Sequence, residues 1–281
     1  MFCTPVITIF IGNYGCMKKV LSLLFLILIT SAQAQELGIP VKFLSNAKAA
    51  TQRYLGTDAF GWQYTITNNE LKKQKDGQTL KYKNVALGEI YKVDLQNPLQ
   101  LILFYRRFNT VVLLDNQLNE TSRINFSDIQ QQPLIAEAVG LASQNRLWVY
   151  DINTQQIGLY NLAQGNFRTL TPPFNDGIKY YQNDYNYFYW IDNVGKCFAV
   201  NLFGNVSTLG NVPTFDNVQI LSSTEILFSR DNSLYLYDLA TQKQQQVQIA
   251  EKSFGSFYYA SQILSIFTES EIIQYKITLS K

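Results

Sequence analysis

From Gly38 onward the apolar and polar residues alternate in short runs broken by Asn, Asp, Gly, Ser and Pro, and no stretch holds a helical period. The clearest passage is Arg146 to Leu170: RLWVYDIN, TQQ, IGLYNLAQ, GN and FRTL. It predicts three short strands in a meander, reversed at polar turns. The same phrase returns, altered, five more times. Aligned on the residue that closes the third strand of each unit, the copies meet at Asp76, Asp115, Asn161, Asn201, Asp238 and Lys276, separated by 39, 46, 40, 37 and 38 residues. A four-stranded propeller blade takes roughly 40 to 45 residues. The spacing therefore predicts an all-β fold, a six-bladed β-propeller.

The blades are expected at about 51–87, 88–127, 134–172, 176–211, 215–250 and 253–281. The first should be the least regular, because Lys72, Lys73, Gln74 and Lys75 interrupt its third strand. The sixth offers only Phe254 to Tyr259, Ile263 to Phe267 and Ile272 to Leu279, one strand short. The extended segment GIPVKFLS at 38–45 precedes the first blade and belongs to none. Placed as the outer strand of the last blade it would close the ring and cover an open edge. At the reversals, an Asp or Asn side chain can bond the backbone two residues on. Asp151, Asn161 and Asp238 are accordingly read as turn builders.

Composition narrows the picture. The chain of 281 residues is 47% hydrophobic and 16% charged, enough for a full core, and its 18 Tyr and 18 Phe favour pleated, half-buried surfaces. Residues 1–34 read as a targeting segment: Met17-Lys18-Lys19, an apolar run from Val20 to Ile29, and Ala32-Gln33-Ala34 as a cleavage site. The first sixteen residues lie ahead of that signal and read as a misplaced start. The apolar run falls short of the ~20 residues that span a bilayer, so no transmembrane segment is expected after cleavage. No Cys follows it before Cys197, so no lipid anchor is expected either.

Removing Lys18 and Lys19 leaves 23 − 2 = 21 basic against 21 acidic residues. Nucleic acid binding loses its electrostatic footprint. Cys197 is then alone, in the alternating run Lys196 to Val200, and reads as a small buried hydrophobe.

The chain has no histidine, which removes the commonest general base and imidazole ligand. No carboxylate pair recurs between blades, Glu269 and Glu271 sit in a solvated loop, and calcium loops and phosphate cradles are absent. No catalytic, cofactor-binding or metal-ligating residue is expected.

The candidates are for partner binding. Arg106, Arg107 and Phe108 lie in the loop between the second and third strands of the second blade; Asp192, Arg230 and Asp231 occupy equivalent loops, which line one face of a propeller. The aromatic run from Tyr180 to Trp190 is expected mainly in the packing between blades, with Tyr185 and Trp190 as candidates for a recognition surface at the rim.

Two phrases carry a resemblance. LYLYDLATQK (Leu234 to Lys243) is similar to the repeat of quinoprotein-like and surface-layer propellers, and GTDAFGWQYTITNNEL (Gly56 to Leu71) resembles an NHL-type repeat. Together they imply an exported propeller of Gram-negative bacteria, and imply no activity. The WD signature is missing. The expected function is a non-enzymatic periplasmic scaffold with a protein partner, an outer-membrane protein being the natural candidate. The alternative is a periplasmic enzyme or carbohydrate-binding propeller that uses its central channel. That alternative predicts inward polar residues at the start of each first strand, where Glu89, Ile135, Ile178 and Val218 are mostly apolar.

Overall fold

The computed structural model describes residues 38–48, 53–129 and 132–279. The leader expected at 1–34 lies outside the described residues. The described chain begins with β1 (Ile39–Pro40) and β2 (Lys42–Lys48). Blade 1 is β3 (Arg53–Thr57), β4 (Gln63–Thr67), β5 (Glu70–Lys75) and β6 (Gln78–Tyr82); blade 2 is β7 (Lys92–Asp94), β8 (Leu101–Tyr105), β9 (Thr110–Leu114) and β10 (Glu120–Asn125). Blade 3 is β11 (Ala136–Ala142), β12 (Arg146–Asp151), β13 (Gln156–Asn161) and β14 (Asn166–Thr169); blade 4 is β15 (Tyr180–Asn183), β16 (Tyr187–Ile191), β17 (Lys196–Asn201) and β18 (Val206–Asn211). Blade 5 is β19 (Asn217–Ile220), β20 (Glu225–Arg230), β21 (Ser233–Asp238) and β22 (Gln244–Gln248), and blade 6 is β23 (Ser256–Ala260), β24 (Ile263–Phe267) and β25 (Glu271–Lys276). Each blade is an antiparallel meander, and together the sheets form a six-bladed β-propeller.

The ring closes through the N-terminal strand. β2 pairs antiparallel with β25, from Lys42 opposite Lys276 to Lys48 opposite Glu271, and becomes the outer strand of blade 6. The segment also does more than the sequence suggested. β1 pairs in parallel with β22, Ile39 opposite Val247, so the same stretch adds a fifth strand to blade 5 before it crosses to blade 6.

The aligned Asx positions explain the repeat. Asp115, Asn161, Asn201 and Asp238 each close a third strand, and the Oδ1 of each accepts two backbone N–H groups of the turn that follows. The lysine run of blade 1 does not interrupt β5. Lys73 is buried because its Nζ donates to the Asn116 carbonyl at 2.8 Å and lies 4.9 Å over the Trp62 ring, so Leu71 and Lys73 both face inward in strand register. Burial lowers the Lys73 pKa, against the opposing pull of Asp58 and Asp115.

Six hydrophobic clusters fill the six junctions between blades. The largest lies between blades 2 and 3, with thirteen buried residues that include Phe104, Phe126, Leu134 and Val149. The smallest, among the described residues, is Tyr54, Phe267 and Ile272 at the seam between blades 6 and 1. Trp148 and Tyr150 sit in the cluster between blades 3 and 4, with Tyr181, Phe188 and Trp190. This is the interblade packing expected of the aromatic run. The strands of each meander alternate in direction, so the loops between second and third strands share one face with the links between blades. That face is called the upper face below.

Candidate functional site

Two places gather functional side chains: the axis of the ring and the upper face. At the axis, the inner strands of five blades line a cavity of about 350 Å³ whose walls include Lys92, Asp94, Gln182, Asn183, Gln219 and Tyr258. The channel is thus polar, contrary to the expectation drawn from Glu89, Ile135, Ile178 and Val218. Glu89, Ile135 and Ile178 precede their strands and belong to the incoming links; β15 begins two residues after Ile178 and so brings Gln182 and Asn183 to the axis.

Most of these polar groups are committed to holding neighbouring blades together. The Gln182 amide donates to the Ile220 carbonyl at 2.7 Å and accepts from its N–H at 3.0 Å, joining blade 4 to blade 5. Gln219 repeats the device on Tyr259 of blade 6, at 2.7 and 2.8 Å. The Asp94 carboxylate of blade 2 accepts from the Leu141 N–H of blade 3 at 2.8 Å and from the Asn183 Nδ2 of blade 4 at 2.7 Å. Arg53 of blade 1 donates to the carbonyls of Ile90 and Tyr91 at the entry to blade 2. Two glycines permit the approach: a Cβ on Gly140 would meet the Asn183 Oδ1 at 2.0 Å, and one on Gly56, at φ +148°, would meet the Tyr258 ring at 3.0 Å.

Lys92 of blade 2 is likewise tied across the channel to blade 4. Its Nζ donates to the Tyr181 carbonyl at 2.8 Å and lies 3.4 Å from the centroid of the Tyr181 ring. The residue as a whole is only half-buried, yet its ammonium is withdrawn from water, and this desolvation brings the pKa down to about 7 against the opposing pull of Asp94. Cys197 behaves as the sequence suggested: it is fully buried, and burial pushes its thiol up to about 12.

The upper face is asymmetric. In blades 2, 3 and 4 the loop after the second strand carries one exposed apolar side chain: Phe108 at 48% exposure, Ile152 at 45% and Val194 at 74%. Tyr91 and Ile135, at the starts of the first strands of blades 2 and 3, extend the arc. Its parts in blades 2 and 3 are joined. The Phe108 ring lies over Gly88, Arg106 stacks 4.0 Å over Tyr91 and pairs with Glu137 at 2.5 Å, and the Ile152 N–H donates to the Ile135 carbonyl at 3.0 Å. The Asn109 Nδ2 donates to the Leu134 carbonyl at 2.6 Å while its Oδ1 accepts from the Ala136 N–H at 2.9 Å, which fixes the loop of blade 2 to blade 3. Arg107 is exposed and forms no ion pair among the described residues.

In blades 5, 6 and 1 the equivalent loops are polar. Blades 1 and 5 use two-residue turns in which Asn68 (φ 51°), Asn69 (φ 58°), Asp231 (φ 51°) and Asn232 (φ 59°) are all left-handed, the dihedrals that select Asn and Asp. Blade 6 uses Glu269 and Ser270, bracketed by a Thr268 N–H that donates to the Glu271 carbonyl at 3.0 Å.

The structure therefore divides the residues singled out in the sequence. Arg106, Arg107 and Phe108 lie together in the apolar arc. Arg230 and Asp231 share the upper face but belong to its polar half, where Arg230 packs 5.7 Å from the Phe228 and Tyr235 rings. Trp190 and Asp192 are buried, each at 3% exposure, and offer little surface to a macromolecule. Tyr185 is exposed in the loop between the first two strands of blade 4, on the opposite face. Sequence reasoning passed over Ile152, Val194, Tyr91 and Lys92, and placed Ile135 at the channel where the structure puts it on the upper face. The signal for the first two was an apolar residue inside a turn otherwise built of Asp, Asn and Gly.

No family model matches the chain, and no curated protein matches its sequence. Solved structures do. Virginiamycin B lyase from Staphylococcus aureus is 12% identical, with 87% of this chain and 97% of that chain covered and a TM-score of 0.56. The β-propeller domain of Cps50 (Swd1) from Myceliophteria thermophila is 8% identical over 85% of this chain and 100% of its own, with a TM-score of 0.58. The extracellular domain of a one-component system from B. thetaiotaomicron is 13% identical over 83% of this chain and 36% of that one, at a TM-score of 0.51. At these identities the likeness is one of fold.

Proposed function

We propose that this protein is an exported, non-enzymatic propeller that docks a protein partner on the upper face of blades 2 to 4, as a scaffold in a Gram-negative cell envelope. The observation that carries the reading is the run of Phe108, Ile152 and Val194, one exposed apolar side chain in each of three consecutive loops, beside the unpaired Arg107. Contiguous exposed apolar surface with a polar rim is a mark of protein interaction sites. The partner it fits has an apolar ridge with an acidic flank. The leader-like sequence before Gln35 and the extracellular setting of one structural neighbour favour export, and an outer-membrane assembly is the natural place for such a scaffold.

The central-channel alternative has less behind it. Gln182, Gln219, Asp94 and Asn183 bond other blades and leave few free polar groups for a substrate. The S. aureus lyase is catalytically inactive in a histidine-to-alanine variant, and this chain contains no histidine. The test is affinity purification of the tagged protein from its own envelope, with Phe108→Asp/Ile152→Asp and Ser270→Arg variants in parallel. A stoichiometric companion should accompany the wild type and Ser270→Arg and be lost from the double variant. Retention of the companion by the double variant would overturn the assignment of the face.

A further inference from the structure

A second site shares the Asp192–Gly195 turn with the docking arc and lies where the link from blade 3 to blade 4 crosses the outer half of blade 4. A cavity of about 290 Å³ opens there, walled by Pro172, Phe174, Trp190 and Phe198 and carrying Asp176 and Asp192. Its aromatic wall is built rather than incidental. Tyr150, Phe174, Trp190 and Phe198 form one continuous stack, with centroids 5.1, 5.2 and 5.0 Å apart and ring planes within 21°, 23° and 16°. The first ring belongs to blade 3, the second to the link, and the last two to blade 4. Such a stack holds the ring edges and the free face of the last rings in fixed positions.

The polar side of the cavity is the more telling one. Asp192 is 3% exposed. Its Oδ1 accepts from the Val194 N–H at 3.0 Å and the Lys196 N–H at 2.8 Å, which builds the turn, and its Oδ2 takes no donor from the described residues. That oxygen is not among the buried atoms left without a partner, so it faces the open space of the cavity and can accept from a donor that enters it. No Lys or Arg lines the cavity. Lys196 is exposed, holds its Nζ 5.7 Å over the Phe198 ring, and forms no ion pair with Asp192 among the described residues. The site therefore combines aromatic and proline walls and two carboxylates, with no basic residue in its lining. An apolar wall of ring edges beside an open carboxylate oxygen favours a positively charged nitrogen on an apolar body.

We propose that this cavity binds a small organic ammonium ion with a body of one or two rings. The body lies against Phe174, Trp190 and Phe198, the ammonium donates to the Asp192 Oδ2, and Asp176 at the exposed edge adds to the attraction. Anions of the same shape are excluded by the two carboxylates.

The experiment titrates the intact protein with phenethylamine, 2-phenylethanol and 3-phenylpropionate, read by ligand-observed NMR and by fluorescence of Trp190. Phenethylamine should bind saturably and about tenfold or more tighter than the alcohol, the advantage expected of a charge-assisted hydrogen bond, and the propionate should not bind. Asp192→Asn keeps the Oδ1 that accepts the turn N–H groups and should bring phenethylamine down to the affinity of the alcohol. Val206→Phe, at a half-exposed position on the lining, should fill the cavity and abolish binding of both, which tests the site should Asp192→Asn fail to fold. Equal affinity for amine and alcohol, unchanged binding in either folded variant, or no saturable signal up to about 10 mM would each overturn the proposal.

Discussion

The two halves of the ring are made of the same repeat, yet they present different faces and different junctions. Blades 2 to 4 turn from second to third strand through Arg106 to Asn109, Ile152 to Gln155 and Asp192 to Gly195; blades 1 and 5 do so in two residues. A two-residue turn needs left-handed dihedrals at both positions, so Asn and Asp fill it and nothing apolar is displayed. A longer loop places its Asx residue at a corner and leaves one position free for Phe108, Ile152 or Val194. Loop length, more than composition, decides where a blade can carry a recognition side chain.

The junctions follow the same division: thirteen buried residues lie between blades 2 and 3, and three at the described seam of blades 6 and 1. The half that carries the apolar arc is the firmly packed one. The half that closes the ring depends more on backbone pairing.

The sharpest way to break this contrast is to open the seam. Deleting residues 38–48 removes the pairing of β2 with β25 and of β1 with β22, where six and two residue pairs are in register. At about 0.5–1.5 kcal/mol net per hydrogen bond and roughly one bond per pair, the loss should reach roughly 4–12 kcal/mol. Hydrogen exchange should then rise first in blades 6 and 1 while blades 2 and 3 stay protected; uniform exchange around the ring would contradict the division.

A smaller effect is expected in the firm half from Gly140→Ala. The new methyl would meet the Asn183 side chain at 2.0 Å and break its bonds to Asp94 and Leu141. About 1–3 kcal/mol should be lost in urea melts, the cost of leaving buried polar groups unpaired.

The channel supplies a pH-dependent comparison. The folded state lowers the Lys92 pKa from its ordinary 10.5 to about 7, so between those values the unfolded chain binds more protons and stability rises with pH. The penalty is fully present below the folded pKa and relieved above the unfolded one. Lys92→Met removes it, so the variant should gain on the wild type as pH falls from above 10 to about 7. A wild-type-to-variant difference that stays flat across that range would contradict a desolvated ammonium at Lys92.

The smallest effect on stability should come from the arc itself. Phe108→Ser, Ile152→Ser and Val194→Ser should each stay within about 0.5 kcal/mol of the wild type in thermal melts, as exposed positions do.

Much of the fold was legible in the chain because the third-strand Asx turn recurs with its spacing and performs the same bonding at Asp115, Asn161, Asn201 and Asp238. Closure was legible because the last blade lacked a strand and an unassigned strand preceded the first. The channel was not. Strand β15 starts two residues later than the apolar pattern suggested, and Gln182 and Gln219 bond the backbone of the next blade, a partner 38 or 40 residues away that no local pattern reveals. Lys73 misled for a related reason: its long stem reaches a carbonyl of the neighbouring blade, so a charged residue holds a buried strand position. At the upper face, the loops were legible as positions, and Arg106, Arg107 and Phe108 lie in the arc. That Trp190 is buried follows from an aromatic stack joining three segments, which appears only once the blades are assembled.

The central claim, that a protein partner is docked by one half of the upper face, is tested most directly by photo-crosslinking in the native envelope. A photoreactive phenylalanine analogue would replace Phe108, Ile152 or Val194 in one set and Asn69, Asn232 or Ser270 in the other. Adducts of one defined size from the first set, and none from the second, are the predicted result. Adducts from the second set, or from neither, would contradict it.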